Sequence, residues 1–516
     1  MEQDAPKRSS FAGLAFPTGI AVAQFIFVAA FHNNYGYFRD ELYYIACSDH
    51  LAWGYVDQPP FSIGLLTVVR WIAGDSLHAI RFLAAAAGAC VVVLSSLTAR
   101  RLGGGTFAQT LTALAVVASP VLLGHGRYFS MNAFDVLFWA LAFTLAVTII
   151  VTGRERLWIL FGLVAGLGLL NKYSIGFLCI GLGAGLLLSP YRKHLRSRWF
   201  WIGAALAALI FSPHVVWEIQ NGLPSLEFMR NASQEKNVHL PVSEFLVGQV
   251  KYNNYFTAPV WLLGIYFFFL DRNGKSVRVL GWTYLVILIM MTIGSAKLYY
   301  LSPVYPLLFA GGAVFIERAV AWNWVRAAAA GLVLAGAVLA APLTIPVLPV
   351  ESFIAYQKSL GLTPKAEERN ALGILPQHYA DMFGWEDLTA IVARAYGELS
   401  PEEQSRCVVY VRNYGEAGAI DFFGKRYGLP PALCAHNNYW LWGPGTRSGD
   451  IAIIVGGSRD LQENLADLRS RYKEAELVGT TDCTYCMPFE NGRMIFMCKG
   501  MNTTFQALWA HERFYI

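Results

Sequence analysis

Apolar stretches of nearly bilayer length follow one another over the first two thirds of the chain, separated by short polar connectors. A helix needs about 20 mostly apolar residues to cross a bilayer, and the stretches range from that length down to roughly 15. The pattern predicts a polytopic α-helical membrane protein with about eleven crossing helices. The predicted segments are residues 12–31, 77–99, 107–123, 133–152, 157–170, 175–188, 199–216, 257–270, 279–293, 301–316 and 325–345.

The pattern changes near residue 349, where acidic residues and turn signals become frequent. Residues 407–412, 450–455 and 493–498 predict strands, whereas 416–427 and 459–472 predict helices. Alternating strands and helices are typical of a small α/β domain. We therefore expect a transmembrane domain at 1–348 and a C-terminal soluble α/β domain at 349–516.

Lysine and arginine are unequally divided between the connectors on the two sides of the membrane. If the N-terminus lies in the cytoplasm, every short basic connector falls on the cytoplasmic side, as the positive-inside rule requires. Examples are Arg100-Arg101, the pair Arg154 and Arg156, and the basic run at 192–198. The long loops at 32–76 and 218–256 and the C-terminal domain are then extracytoplasmic.

The composition agrees with a membrane protein, because 55% of the 516 residues are hydrophobic and only 15% are charged. Soluble proteins carry roughly a quarter of charged residues. The formal net charge of +5 is small for this length, so it gives no indication of nucleic-acid binding.

Five of the eight cysteines lie in the C-terminal part, at positions 407, 434, 483, 486 and 498. The spacing of Cys483 and Cys486 is that of a zinc or redox motif, but no second pair of this kind follows. Because the domain is expected outside the cytoplasm, we expect disulfides among the five rather than zinc. Five is an odd number, which leaves one cysteine free or paired elsewhere.

The first extracytoplasmic loop is much longer than a turn and carries an acidic pair, Asp40 and Glu41, preceded by Arg39 and followed by Tyr43 and Tyr44. A carboxylate at the outer membrane surface can act as a general base toward a hydroxyl group. The alternative is a solvated charge or a helix cap. Because aromatic and further acidic residues surround the pair, we favour a catalytic role for Asp40 and Glu41 and a substrate-binding role for Arg39, Tyr43 and Tyr44.

A second acid, Asp135, follows Arg127 by eight positions, in the short outer connector after the third predicted crossing. Asp135 would lie in the first turn of the next helix, where a negative charge is favourable to the helix dipole without any function. The functional alternative is a second carboxylate that faces Asp40 across a cavity, with or without a divalent metal ion. Arg127 is then a candidate for substrate binding.

Lys172 and Lys297 stand beside aromatic residues on the side of the membrane that should be poor in lysine. Such lysines can extend toward lipid head groups, which is their ordinary role. They can also bind a lipid phosphate, which a cationic point charge suits. We favour phosphate binding for Lys172, Lys297 and the neighbouring Tyr300.

The loop sequence RDELYY, with HLAWGYVDQPP after it, resembles bacterial members of the dolichyl-phosphate-mannose protein mannosyltransferase family, glycosyltransferase family 39. Close relatives in that family include the aminoarabinose transferase that modifies lipid A. NKYSIGF and KLYYLSPVYP fit the same family, and NYGEAGAIDFFG with HNNYWLWGP resembles the C-terminal part of a bacterial subset.

The resemblance implies a C-type membrane glycosyltransferase fold in the bacterial inner membrane and a polyprenyl-phosphate sugar donor. It places Asp40 and Glu41 at the catalytic centre, carries the second acid to Asp135, and matches Lys172 and Lys297 to positions near the lipid phosphate. Some relatives hold a metal near these acids and others work without one, so the metal stays open. The acceptor is a lipid, glycan or protein hydroxyl. The alternative function is a lipid or sugar transporter or flippase with an appended soluble domain.

Overall fold

A computed structural model describes residues 11–294, 296–364 and 368–516. The chain forms two compact units, and each is assembled from three separate stretches. The membrane unit consists of His78–Val215, His239–Pro349 and the described part of Met1–Asn34. The α/β unit consists of Tyr35–Leu77, Val216–Val238 and the described part of Val350–Ile516.

Helices make up the membrane unit. Two of them are divided between the units: the first residue of Leu77–Arg101 and the last turn of Arg198–Gln220 belong to the α/β unit. The α-helices are Ala15–Ala30, Leu77–Arg101, Thr106–Ala118, Pro120–His125, Met131–Thr152, Leu157–Asn171, Ile175–Leu187, Arg198–Gln220, Val242–Tyr252, Ala258–Phe269, Arg278–Ile293, Tyr305–Ala319 and Asn323–Thr344. Short 3-10 helices cover Phe11–Leu14, Pro190–Arg196, Lys275–Val277 and Leu298–Val304.

Every segment that the hydrophobic pattern predicted falls on one or two of these helices. Within the described residues, 6 helices are long and apolar enough to cross a membrane, or 7 if a helix pair bent by 116° near Leu187 counts as one span. The others, such as Ala15–Ala30 and Leu157–Asn171, are apolar but shorter. The chain is therefore a multi-pass membrane protein, while the number of about eleven crossings stays a prediction.

Glycines allow several helices of the membrane unit to pack with their backbones in direct contact. A Cβ atom on Gly312 would collide with the backbone of Val260, and one on Gly264 would collide with the backbone of Leu308. These residues join the helices Ala258–Phe269 and Tyr305–Ala319. Small residues at such crossings are the usual means of helix association in a bilayer, where burial of apolar surface between helices supplies little driving force.

The α/β unit contains a five-stranded mixed sheet with the strand order β2-β1-β3-β5-β4. β1, β2 and β3 are parallel, whereas β5 runs antiparallel to both β3 and β4. The strands are β1 (Cys407–Val411), β2 (Ala432–Cys434), β3 (Ile451–Val455), β4 (Tyr472–Thr480) and β5 (Met494–Met501). β1 and β3 are buried along their whole length and form the centre of the sheet.

The three predicted strands and both predicted helices of this part are confirmed. Two strands were missed, β2 because it has only three residues, and β4 because its charged, partly exposed sequence lacks an apolar face. The α-helices of the unit are Arg39–Asp49, Phe61–Ala73, Pro224–Asn231, Val350–Ser359, Gln377–Ala380, Trp385–Gly397, Pro401–Arg406, Tyr414–Phe423, Asn438–Trp442, Leu461–Arg471 and Phe505–Leu508.

The first loop is part of the α/β unit and is itself largely helical. Leu42 from this loop is fully buried and shares one apolar cluster with Trp385, Ala419 and Phe423. A Cβ atom on Gly418 would lie 2.8 Å from the backbone carbon of Leu42, so the two helices meet backbone to backbone at this point. The α/β unit thus includes segments that precede residue 349 by hundreds of positions.

Candidate functional site

The acidic pair of the first loop lies at the start of the helix Arg39–Asp49, and its two members have different surroundings. Glu41 is fully buried, and its Oε2 accepts a hydrogen bond of 2.9 Å from the backbone N–H of Phe38. This contact satisfies one of the amides that a helix leaves unpaired at its start. The capping alternative therefore applies to Glu41, and its catalytic role stays a prediction.

Asp40 is more accessible, because 32% of its side chain is exposed. Its Oδ1 accepts a hydrogen bond of 3.0 Å from the Tyr414 hydroxyl and lies 3.6 Å from Nε of Arg39. Both contacts hold the carboxylate through the same oxygen. Asp40 is thus fixed in orientation and still reachable from outside, as a base that acts on a bound hydroxyl must be.

Arg39 is largely buried and forms an ion pair with Asp381, at 3.7 Å between Nη1 and Oδ1. Its guanidinium lies over the ring of Tyr414, 5.2 Å from the ring centre, and its backbone N–H donates to the Asp381 carbonyl at 2.9 Å. Arg39 thus supports Asp40 through these contacts. Its role in substrate binding stays a prediction.

Tyr43 and Tyr44 are both buried in the same unit. The Tyr43 hydroxyl donates to Oδ1 of Asp57 at 2.9 Å and accepts from the backbone N–H of Asn438 at 3.4 Å. Burial and the neighbouring Asp57 raise the pKa of Tyr43 well above its ordinary value, which keeps the hydroxyl protonated. Oδ1 of Asn438 also accepts the N–H of Val56 at 2.6 Å, so the C-terminal HNNY sequence, residues 436–439, holds the first loop in place.

Three functional candidates escaped the sequence reasoning: Asp57, Asp381 and Tyr414. Asp381 is almost completely buried, and burial, together with the charge of Asp40, raises its pKa to about 6 against the opposing effect of Arg39. Burial raises the pKa of Asp57 to about 6 as well. Asp57 belongs to the quoted loop sequence and Tyr414 to the quoted sequence NYGEAGAIDFFG, whereas Asp381 lies in no quoted motif.

The raised pKa of Asp381 predicts that the stability of the α/β unit falls with rising pH. Between the ordinary value near 4 and about 6, the folded state holds a proton that the unfolded state has released, so the free energy of unfolding decreases and levels off above that range. The decrease is up to ~3 kcal/mol, from about 1.4 kcal/mol per pKa unit. We expect Asp381→Asn to lack this component when chemical unfolding in detergent is measured from pH 4.5 to 8.

The variant also loses the ion pair with Arg39 and should be less stable overall, so the slope against pH is the quantity to compare. Asp49→Asn serves as a matched control, since Asp49 is exposed and lies at the C-terminal end of the helix Arg39–Asp49, away from Arg39. Parallel curves for the wild type and Asp381→Asn would contradict this prediction.

A second group of predicted residues lies in the membrane unit, around Lys172. Nζ of Lys172 donates to Oδ1 of Asn132 at 2.7 Å and lies 3.7 Å from Oδ2 of Asp135. The Ser174 hydroxyl donates to Oδ1 of Asp135, and the Trp139 indole N–H donates to Ser174 at 3.2 Å. Asp135 is buried at the start of the helix Met131–Thr152, so the helix dipole and the lysine both compensate its charge.

Aromatic rings complete the surroundings of this lysine. Nζ of Lys172 lies 5.0 Å from the ring centre of Tyr300 and 5.4 Å from that of Tyr299. Lys297 is half-buried just before the 3-10 helix Leu298–Val304 that carries both tyrosines. Arg127 is buried, donates to the carbonyl of Thr344 at 2.6 Å and lies over the ring of Tyr128. The structure thus brings Lys172, Asp135 and Tyr300 together and leaves the roles of all these residues as predictions.

The predicted site residues therefore divide into two groups that belong to different units. Arg39, Asp40, Glu41, Tyr43 and Tyr44 are in the α/β unit. Arg127, Asp135, Lys172, Lys297 and Tyr300 are in the membrane unit. In the part of the chain that the structure describes, no three His, Cys, Asp or Glu side chains are grouped as metal ligands.

The family model described as dolichyl-phosphate-mannose-protein mannosyltransferase matches residues 57–217. The lipid A galacturonosyltransferase RgtD of Rhizobium johnstonii is 23% identical over 271 residues, which are 51% of this chain and 56% of that protein. The chain thus spans little more than half the length of this curated relative.

ArnT from Cupriavidus metallidurans has a similar structure over almost the whole chain. The form bound to undecaprenyl phosphate matches with a TM-score of 0.59 and 14% identity, over 95% of this chain and 98% of ArnT. The apo form matches with a TM-score of 0.60 and 15% identity, over 94% and 98%. The fold is therefore that of ArnT, and the resemblance predicted from the sequence is confirmed. The family and the curated relative are both glycosyltransferases by description, in agreement with the predicted enzyme class.

Proposed function

We propose that this chain, a multi-pass membrane protein with the fold of ArnT and a match to the protein mannosyltransferase family, is a membrane glycosyltransferase. It transfers a sugar from a polyprenyl-phosphate donor to a hydroxyl group at the extracytoplasmic face. The side of the membrane follows from the distribution of basic connectors in the sequence. The finer fold description, a C-type glycosyltransferase with about eleven crossings, belongs to the same proposal.

The observation that carries the proposal is the setting of Asp40. Its carboxylate is partly exposed and is anchored through Oδ1 by the Tyr414 hydroxyl, in a chain with an ArnT fold. In the proposed reaction Asp40 accepts the proton of the acceptor hydroxyl as its oxygen attacks the anomeric carbon of the sugar. The bond between that carbon and the phosphate oxygen breaks, and polyprenyl phosphate leaves with the electron pair. Attack opposite the leaving group inverts the anomeric centre.

The leaving phosphate needs a positive charge, and Lys172 is the best supported candidate to supply it. Its ammonium is held by Asn132 and Asp135 and stands against two tyrosine rings, so its position is fixed. Fixed charges stabilise a developing anion without the cost of reorienting solvent. Lys297 and Arg127 are further candidates by charge and sequence position. The ArnT structure with undecaprenyl phosphate supports a donor of this chemical class.

RgtD is described as a lipid A galacturonosyltransferase, so a glycolipid hydroxyl is the first acceptor to test, ahead of glycan and protein hydroxyls. The same mechanism applies with or without a divalent metal ion near the acids.

The direct test is an assay of the purified protein in proteoliposomes with a radiolabelled sugar on polyprenyl phosphate. We expect the label to appear on a glycolipid or glycan acceptor, and we expect a nucleotide sugar to be inactive as donor. Movement of the labelled donor across the bilayer without transfer would instead indicate a transporter or flippase. Efficient transfer from a nucleotide sugar would overturn the proposed donor class.

A further inference from the structure

Cys483 and Cys486 lie close together on the loop that joins β4 to β5. The backbone N–H of Cys486 lies 3.2 Å from Sγ of Cys483, and Sγ of Cys486 lies 3.1 Å from the carbonyl oxygen of Cys483. Cys483 is half-buried and therefore reachable, whereas Cys486 is buried. The loop thus holds two thiols in one tight bend, with one of them open to a reagent.

The three cysteines on the strands of the sheet, Cys407, Cys434 and Cys498, cannot pair among themselves. Cys407 and Cys498 lie on β1 and β5, with β3 between them, so their Cα atoms are separated by at least two strand spacings, roughly 9 Å. Cys434 pairs in register with Val411, four residues along β1 from Cys407, and lies three strands from Cys498. A disulfide needs Cα atoms within about 7 Å. The expectation of disulfides among the five C-terminal cysteines is therefore wrong for any pair within these three.

The electrostatic surroundings of Cys483 favour its thiolate. The Cys486 thiol and the backbone N–H groups of the bend lower the pKa of Cys483 to about 7, while Cys483 raises that of Cys486. The thiolate is the species that attacks a disulfide. A lowered pKa on the accessible partner, with a protonated second thiol beside it, is the arrangement that thiol–disulfide exchange requires.

The bend packs against the segment that carries Asp381. A Cβ atom on Gly384 would lie 3.2 Å from Sγ of Cys483, and the ring of Tyr485 contacts that of Phe383 at 5.9 Å. The same segment holds Asp381, which pairs with Arg39 beside Asp40. The position of the bend is therefore coupled by direct packing to the support of Asp40.

We propose that Cys483 and Cys486 form a reversible disulfide that fixes this bend against the segment 381–385. The Cys483 thiolate attacks a sulfur of a disulfide in an oxidising partner of the thiol–disulfide oxidoreductase class, and the partner's other sulfur leaves as a thiolate. Cys486 loses its proton and attacks Cys483 Sγ, which releases the second sulfur of the partner. Two electrons pass to the partner, and the two protons of the dithiol are released. The proposal rests on the loop geometry and does not depend on the proposed transferase activity.

Peptide mapping tests the pairing directly, because trypsin releases both cysteines in one peptide, residues 474–493, between Lys473 and Arg493. The intact protein is equilibrated with glutathione disulfide, acid-quenched, denatured and alkylated with N-ethylmaleimide before digestion. We expect this peptide to be 2 Da lighter than its dithiol mass and to carry no alkyl group, and reduction should restore two alkylation sites. The matched control Cys90→Ser, an exposed cysteine of the membrane unit, should leave this result unchanged.

Two alkyl groups on the peptide after full equilibration, or a bond from either cysteine to a third one, would overturn the proposal. Hydrogen exchange tests the coupling. Amides of residues 381–386 should exchange several-fold more slowly in the oxidised protein than in the reduced protein, and the double variant Cys483→Ser/Cys486→Ser should match the reduced protein under both conditions. Equal exchange in the two states would remove the coupling to Asp381.

Discussion

Replacing Asp40 by Asn should reduce sugar transfer by at least 100-fold while the protein stays folded. Loss of a positioned general base typically costs about 10²- to 10⁴-fold in rate. The amide oxygen of Asn can still accept the 3.0 Å hydrogen bond from Tyr414, so the packing of the loop is preserved. The measurement is kcat with a labelled polyprenyl-phosphate sugar, together with the thermal unfolding midpoint in detergent.

Asp49→Asn is the matched control for this variant. Asp49 belongs to the same helix, and it pairs with Arg70 at 2.6 Å near the opposite end. We expect its activity to stay within about twofold of the wild type, because exposed ion pairs contribute little. If Asp40→Asn and Asp49→Asn are equally active, Asp40 is not the base and the proposed mechanism fails.

Replacing Lys172 by Gln should weaken the use of the donor, with kcat/KM for the polyprenyl-phosphate sugar lowered roughly 10- to 100-fold. A hydrogen bond to a charged group is worth about 1.5–3 kcal/mol, and each 1.4 kcal/mol is a factor of ten. Lys251→Gln provides a control, since Lys251 is an exposed lysine of the same unit on the helix Val242–Tyr252.

A second effect must be separated from donor binding in this variant. Lys172→Gln leaves the buried carboxylate of Asp135 without its 3.7 Å cation, which should lower stability. The double variant Lys172→Gln/Asp135→Asn removes both charges and should recover much of the stability without recovering donor use. Recovery of kcat/KM in the double variant would show that Lys172 serves the fold rather than the phosphate.

The membrane helices could be predicted from the sequence because the bilayer imposes one simple requirement, a sustained apolar run. The gathering of Lys172, Asp135 and Tyr300 was partly foreseen, since all three were assigned to the same side of the membrane. The sequence could not separate Asp40 from its neighbour Glu41, because only the helix start decides which carboxylate turns inward as a cap.

The supports of Asp40 were beyond sequence reasoning for a different reason. Tyr414 contacts Asp40, and Asp381 pairs with Arg39 beside it, only because segments distant in the chain pack together. Tyr414 lies in the quoted sequence NYGEAGAIDFFG, but that sequence does not indicate its partner, and an isolated Asp carries no periodic signal. β4 was lost for a related reason, since an edge strand with alternating charges differs little from a polar helix by composition. Local patterns thus specify elements, while contacts between remote elements specify the site.

The interleaved make-up of the α/β unit has a consequence for biosynthesis. Residues 35–77 leave the ribosome long before Val350–Ile516, with most of the membrane helices between them. At about 5–20 residues per second the delay is on the order of tens of seconds. During this delay the nascent helix Arg39–Asp49 lacks Trp385, Ala419 and Phe423, the residues that cover Leu42. In the proposed topology this segment is exported with an apolar face that stays uncovered until the C-terminal part has been synthesised.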